Sequence, residues 1–87
     1  MRKCPAIGDR VRYIGGPVVG PCTGTVEAIY PTEEWDYECD RPTGRYKPEH
    51  EWQVRMRVDA LPTPWCYGSR TAFAPEVSKL RRLRPNQ

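Results

Sequence analysis

The sharpest alternation of apolar and polar positions runs through Glu51-Trp52-Gln53-Val54-Arg55-Met56-Arg57-Val58-Asp59. Trp52, Val54, Met56 and Val58 fall on one side, and Gln53, Arg55, Arg57 and Asp59 on the other, the period of a half-buried strand. This predicts a strand over 51–59 with its apolar set in the core. Val11 and Tyr13 alternate with Arg10 and Arg12 and predict a strand over 9–14. Thr25-Val26-Glu27-Ala28-Ile29-Tyr30 is rich in β-formers and predicts a strand over 24–30. Pro31 ends it, because proline cannot donate to a ladder. Two short strands are expected near 70–73 and 79–83. The expected core is Val11, Val26, Trp52, Val54, Met56, Val58, Phe73 and Leu80, with Ile7 the first core residue along the chain.

Between these runs the chain is rich in turn formers. Gly15, Gly16, Pro17, Gly20, Pro21 and Gly24 break regular structure after the first strand. Leu61-Pro62-Thr63-Pro64 reads as a rigid turn, and Gly68-Ser69 as another. Trp65-Cys66-Tyr67 either starts a further strand or packs over the mouth of a barrel. Residues 31–50 form a long connection with no regular structure of their own, apart from a turn at Pro42-Thr43-Gly44. Trp35, Tyr37 and Tyr46 sit there among acids, and either cap the core or contact a partner. Residues 84–87 are expected to fray. No internal repeat or domain boundary interrupts residues 1–87, so a single domain is expected.

The stretch Gly8-Asp9-x-Val11 through Gly24-Thr25-Val26 resembles the KOW-type opening of small SH3-like barrels, a family that includes ribosomal proteins and the C-terminal domains of bacterial transcription elongation factors. The likeness covers Gly8 to Ile29. It implies an all-β fold, a small five-stranded antiparallel SH3-like barrel, with residues 31–50 as one long acidic-aromatic loop. It also implies that RNA or a protein is the partner. Gly20 and Gly24 stand one residue further apart than the family's usual glycine pair, which implies a bulged turn. Ala74-Pro75-Glu76-Val77-Ser78 is similar to the one-turn helix before the last strand of such barrels. Gly24-Thr25-Val26-Glu27-Ala28 is also similar to the SH3-like domain of nitrile hydratase β subunits. The metal ligands of that enzyme lie on its other subunit, so this likeness implies no chemistry here. Two functions on one pattern mark a fold rather than an activity. The family likeness further suggests a phage or mobile-element protein that acts on a host factor such as a defence system.

Composition agrees with a small β domain. Ten prolines and seven glycines in 87 residues oppose long helices, while three Trp and five Tyr provide burial capacity. No apolar run approaches the ~20 residues of a membrane span. Met1-Arg2-Lys3-Cys4-Pro5 leads into no apolar stretch, so no export signal and a cytoplasmic location are expected. Cys4, Cys22, Cys39 and Cys66 are then expected to be reduced thiols. No two of them have the close spacing of a zinc-binding pair, so no metal and no cofactor are expected.

The net charge of +3 is unevenly spread. Residues 31–51 carry seven acids against three basic side chains, whereas residues 52–87 carry seven basic side chains against two acids. Such a two-pole chain reads as an interaction module. Catalytic machinery is not legible: His50 is the sole histidine, Ser69 and Ser78 have no evident base, and no phosphate loop occurs. The chain is therefore expected to be a non-enzyme.

Three binding functions follow from the surface residues. The first is protein binding through Trp35, Tyr37, Glu33, Glu34, Asp36 and Tyr46. The second is nucleic-acid binding through Arg10, Arg12, Arg55, Arg57, Arg81 and Arg82. The third is a phosphate- or nucleotide-containing small ligand held by Trp35, Trp65 and Tyr67 with arginines nearby. The acidic stretch would repel a nucleic acid laid across it, which ranks a protein partner first.

Overall fold

A computed structural model describes residues 4–84. The elements in chain order are β1 (Arg10–Tyr13), β2 (Cys22–Tyr30), β3 (Glu33–Asp36), β4 (Arg41–Tyr46), a 3-10 turn (Glu49–Glu51), β5 (Gln53–Val58), β6 (Ala72–Phe73), a second 3-10 turn (Val77–Lys79) and β7 (Leu80–Arg82). They form an antiparallel five-stranded sheet of order β6-β5-β2-β1-β7 and a separate two-stranded sheet of β3 and β4. The protein is all-β, as the sequence pattern predicts. The five strands do not close into a barrel, since β6 and β7 stand at opposite ends of the strand order. The chain between those two ends crosses the sheet instead. Glu76 bridges to Gln53, Val77 N–H donates to the Trp52 carbonyl at 2.8 Å, and Ile14 N–H donates to the Lys79 carbonyl at 3.0 Å.

The core forms where the alternation is cleanest. In β5, Val54, Met56 and Val58 are buried while Gln53, Arg55 and Arg57 are exposed. Val11, Val26, Val77 and Leu80 complete the buried cluster with Val54 and Met56. Trp52 and Phe73, expected inside, are half-buried and pack against this cluster from its rim. Trp52 precedes its strand, because Glu49–Glu51 turns in a 3-10 geometry and the indole N–H reaches the Lys47 carbonyl at 2.7 Å. A polar indole nitrogen needs such a partner, and finding it there holds the ring at the margin.

Ile7 is not core but 66% exposed. Gly8, at φ 92°, turns the chain; Asp9 N–H donates to the Ala6 carbonyl, and the Asp9 carboxylate accepts from Ala6 N–H at 2.9 Å. The turn leaves Ile7 at its tip and Pro5 buried. Val19, which no periodicity marks, is buried in the β1–β2 connection. In place of the one-turn helix expected over Ala74–Ser78, a 3-10 turn over Val77–Lys79 precedes the last strand. Of the tail expected to fray, residues 85–87 lie outside the described residues.

The irregularity expected between Gly20 and Gly24 lies further on. Val26 pairs with Met56 and Ala28 with Arg55, so the register shifts at Glu27. Without this bulge Ile29 would face the opposite side from Val26. With it, both side chains face the core, and Ile29 stands opposite Val54. Gly24 is required nearby for a different reason. It is buried against β5, and a Cβ there would overlap the Arg57 carbonyl.

Two substitutions test this core. Val54→Ala is expected to cost roughly 1–3 kcal/mol through lost burial and a residual cavity. Gly24→Ala is expected to lower the melting temperature as well, by pushing β2 off β5, and its spectrum should show loss of β signal if the strands separate. Circular dichroism with denaturant titration checks both. Wild-type stability for either variant would place the core elsewhere.

Candidate functional site: an exposed acidic-aromatic hairpin

The connection 31–50, expected to lack regular structure, contains the β3–β4 hairpin. Its strands are too short and too polar to show a period-two apolar pattern, because neither of their faces is buried. Every residue of β4 is exposed, and in β3 only Asp36 is half-buried. Glu33 pairs with Tyr46, Trp35 with Pro42 and Asp36 with Arg41. The register shifts between Glu33 and Trp35, where Gly44 adopts φ 84° and Thr43 Oγ1 donates to the Glu34 carbonyl at 3.4 Å.

The turn is made by an aspartate. The Asp36 carboxylate accepts the backbone N–H of Glu38 at 3.0 Å and of Cys39 at 3.2 Å, and Asp40 takes a positive φ of 52°. Aspartate tolerates such geometry better than most side chains and commonly bonds the backbone two or three residues on. Hydrogen bonding from Cys39, then from Glu38, holds the Asp36 carboxyl below its ordinary pKa. At its base the hairpin is tied by Lys47 N–H donating to the Thr32 carbonyl at 2.8 Å, and by the Tyr46 ring meeting Trp52 edge-on at 6.3 Å. The molecule measures 43 × 30 × 19 Å, and its radius of gyration of 14.2 Å exceeds the roughly 12 Å of a compact chain this long. A hairpin standing off the main sheet fits those dimensions.

Trp35, Tyr46 and Tyr37 are 44%, 58% and 87% exposed. Trp35 and Tyr37 therefore do not cap the core, and only Tyr46 touches a ring that packs on it. Trp35 and Pro42 share one face of the hairpin, as do Glu33 and Tyr46. The six side chains expected to bind protein, Trp35, Tyr37, Glu33, Glu34, Asp36 and Tyr46, thus lie on one exposed element.

The arginines are arranged differently. Arg10 donates from both terminal nitrogens to Asp59, at 2.8 Å for Nη1 to Oδ1. Glu27, set between two arginines by the bulge, accepts from Arg57 at 2.5 Å and from Arg55 at 3.2 Å. Arg82 pairs with Asp9 at 2.8 Å. It lies across from buried Val11 and so leaves the outer face occupied by its neighbour Arg81, which lies across from Arg12. The six arginines thus do not form one patch: four pair with three carboxylates, and one of those four, Arg82, sits on the other side of the sheet. The Asp59 carboxyl is held below its ordinary pKa, chiefly by the hydrogen bond from Arg10.

The third set is also divided. Trp65 and Tyr67 form no strand but join Phe73, with Trp65–Tyr67 and Trp65–Phe73 centroids 5.1 and 5.7 Å apart. Tyr13 meets Phe73 edge-on at 5.1 Å. Trp35 belongs to the hairpin and has no ring contact among the described residues. Sequence reading missed this ring cluster's dependence on Phe73 and Tyr13, which come from different strands.

All four cysteines are free, and among the described residues no three His, Cys, Asp or Glu side chains gather as a metal site. No helix among the described residues is long and apolar enough to cross a membrane. Comparison of the chain with models of protein families, with curated proteins and with solved structures found no match.

Two solution measurements follow. Burial, then Glu49, pushes the Cys4 thiol pKa up, and burial, then Asp59, does the same for Cys22. Cys39 and Cys66 are exposed. Alkylation followed by mass spectrometry should therefore modify Cys39 and Cys66 well before Cys4 and Cys22; equal rates would contradict the burial. Asp36 should titrate below the ordinary value of about 3.9. A depressed folded-state pKa contributes stability above the unfolded pKa that is lost as pH falls through the folded one. The amide signals of Glu38 and Cys39 should accordingly move with Asp36 as the solution is acidified, and a midpoint at or above the ordinary value would rule out the carboxylate turn.

Proposed function

We propose that the chain is a small non-enzymatic binding module that engages a basic segment of another protein through the β3–β4 hairpin. The single observation that carries this reading is the exposure of Trp35, Tyr37 and Tyr46 on a hairpin that adds no buried side chain to the core. Exposed aromatics are costly to leave in water and are enriched at interface centres. The carboxylates of Glu33, Glu34, Asp36, Glu38 and Asp40 surround them, against Arg41 and Arg45 on the facing strand. That field draws in cationic side chains and raises the association rate of a basic partner.

The SH3-like relationship belongs to this reading. Five antiparallel strands, β1, β2, β5, β6 and β7, with a 3-10 turn before the last, support it. The hairpin then occupies the connection between the second and third strands of the five-stranded sheet. Loops on such a scaffold carry binding functions because the sheet holds them rigidly.

Nucleic acid is the second reading, favoured by Arg12 and Arg81, which lie side by side on the outer face with no carboxylate within ion-pair distance among the described residues. Trp35→Ala and Arg12→Glu separate the two. Both replace exposed side chains and are expected to keep the fold within about 0.5 kcal/mol. Trp35→Ala should weaken capture of the partner by about thirtyfold, the equivalent of a 2 kcal/mol anchor. If Trp35→Ala folds and captures partners as wild type does while Arg12→Glu loses them, the basic face is the site and the hairpin reading fails.

A further inference from the structure

Beside the edge strand β6 lies an open groove of about 790 Å³, lined among others by Tyr30, Arg55, Tyr67, Arg70, Thr71 and Phe73. None of its lining residues is acidic. Arg55 shares its one carboxylate, Glu27, with Arg57, so two guanidinium groups are balanced by a single negative charge. Arg70 makes no ion pair among the described residues. The groove is thus short of negative charge at two guanidinium groups.

The wall that carries Arg70 is braced. Tyr67 stacks on Phe73 at 6.3 Å and 27°, and Trp65 meets Tyr67 edge-on at 5.1 Å. Trp65 Nε1 donates to the Arg70 carbonyl at 3.1 Å, and Arg70 N–H donates to the Tyr67 carbonyl at 3.1 Å. The backbone of Arg70 is therefore fixed by the ring cluster while its guanidinium is left without an acid. A side chain presented from a fixed backbone loses less entropy when it binds. Tyr30 and Tyr67 are 45% and 41% exposed, so each has ring surface open to solvent.

Guanidinium groups bind phosphate through paired charge-assisted hydrogen bonds, and aromatic rings stack on flat heterocycles. A volume in the range of small-molecule sites completes the match. We propose that this groove binds a nucleotide, its phosphate held by Arg70 and Arg55 and its base against the tyrosine rings. The same chemistry is offered by a free mononucleotide and by one unit of a single strand. The proposal stands apart from the hairpin, since it shares no residue with β3 or β4.

The test is a nuclear magnetic resonance titration of the whole chain with AMP, adenosine, inorganic phosphate and a short oligoadenylate. AMP or the oligoadenylate should bind saturably, shifting signals of Tyr30, Arg55 and residues 67–73, and AMP should bind more tightly than adenosine or phosphate. Arg70→Ala, which removes a guanidinium with no ion pair among the described residues, should weaken binding about tenfold or more, the loss of one charge-assisted contact. Lys79→Ala, an exposed cation outside the groove lining, should change it by less than about twofold at physiological salt. Tighter binding of the oligoadenylate than of AMP assigns the unit to a strand, and the reverse assigns it to a free nucleotide. No saturable binding of either ligand overturns the proposal. So does binding that Arg70→Ala leaves intact, or that Lys79→Ala weakens as strongly.

Discussion

The close approach of β2 to β5 at Gly24 is the constraint on which the remaining structure depends. β2 is the longest strand and pairs on both sides, with β1 and with β5. At Gly24 the β5 backbone leaves no room for a side chain. That contact lets Val11, which is Gly24's partner on β1, and Val58, its partner on β5, both be buried across a glycine. A larger residue would separate the two strands there, and interiors tolerate added volume poorly.

A few positions further on, the same strand adjusts its register. The bulge at Glu27 restores Ile29 to the core side and places a carboxylate between Arg55 and Arg57. One backbone irregularity thus settles both packing and surface charge. Exposed ion pairs add little stability. Their effect here is to cancel charge on the strands of the main sheet, where Arg12 and Arg81 are the arginines left without a carboxylate among the described residues. A count of arginines along the strands overstates the basic face for this reason.

The strands that face the core were legible in the sequence because burial imposes a period of two, as Val54, Met56 and Val58 show. Val26 and Ile29 could not be assigned together, since the bulge between them breaks that period. The hairpin was illegible because no face of it is buried, and its order comes from backbone pairing and the Asp36 turn. Its aromatic and acidic residues were nevertheless legible as a candidate site, because composition alone singles them out. Val19 and the ring cluster around Phe73 escaped notice for a shared reason. Each depends on a loop being folded onto a distant strand, and local sequence carries no record of which strand that is.

Separation of the hairpin from the core has a consequence for how the two can vary. Core positions in β1, β2, β5 and β7 are coupled through shared contacts, so substitutions among them interact. The side chains of Glu33, Glu34, Trp35 and Tyr37 face water and touch none of the buried cluster. Their replacement changes charge and apolar area at the tip while the sheet keeps its packing. Tyr46 is the exception, because its ring rests against Trp52 and Trp52 rests against the core. It is the one hairpin aromatic through which a load on the tip reaches the sheet, and so the one whose loss would alter the hairpin's angle as well as its surface. A hairpin anchored at its base by the Tyr46–Trp52 ring contact and by the Trp52 indole bond to the Lys47 carbonyl can present a surface without taxing a core of this small size.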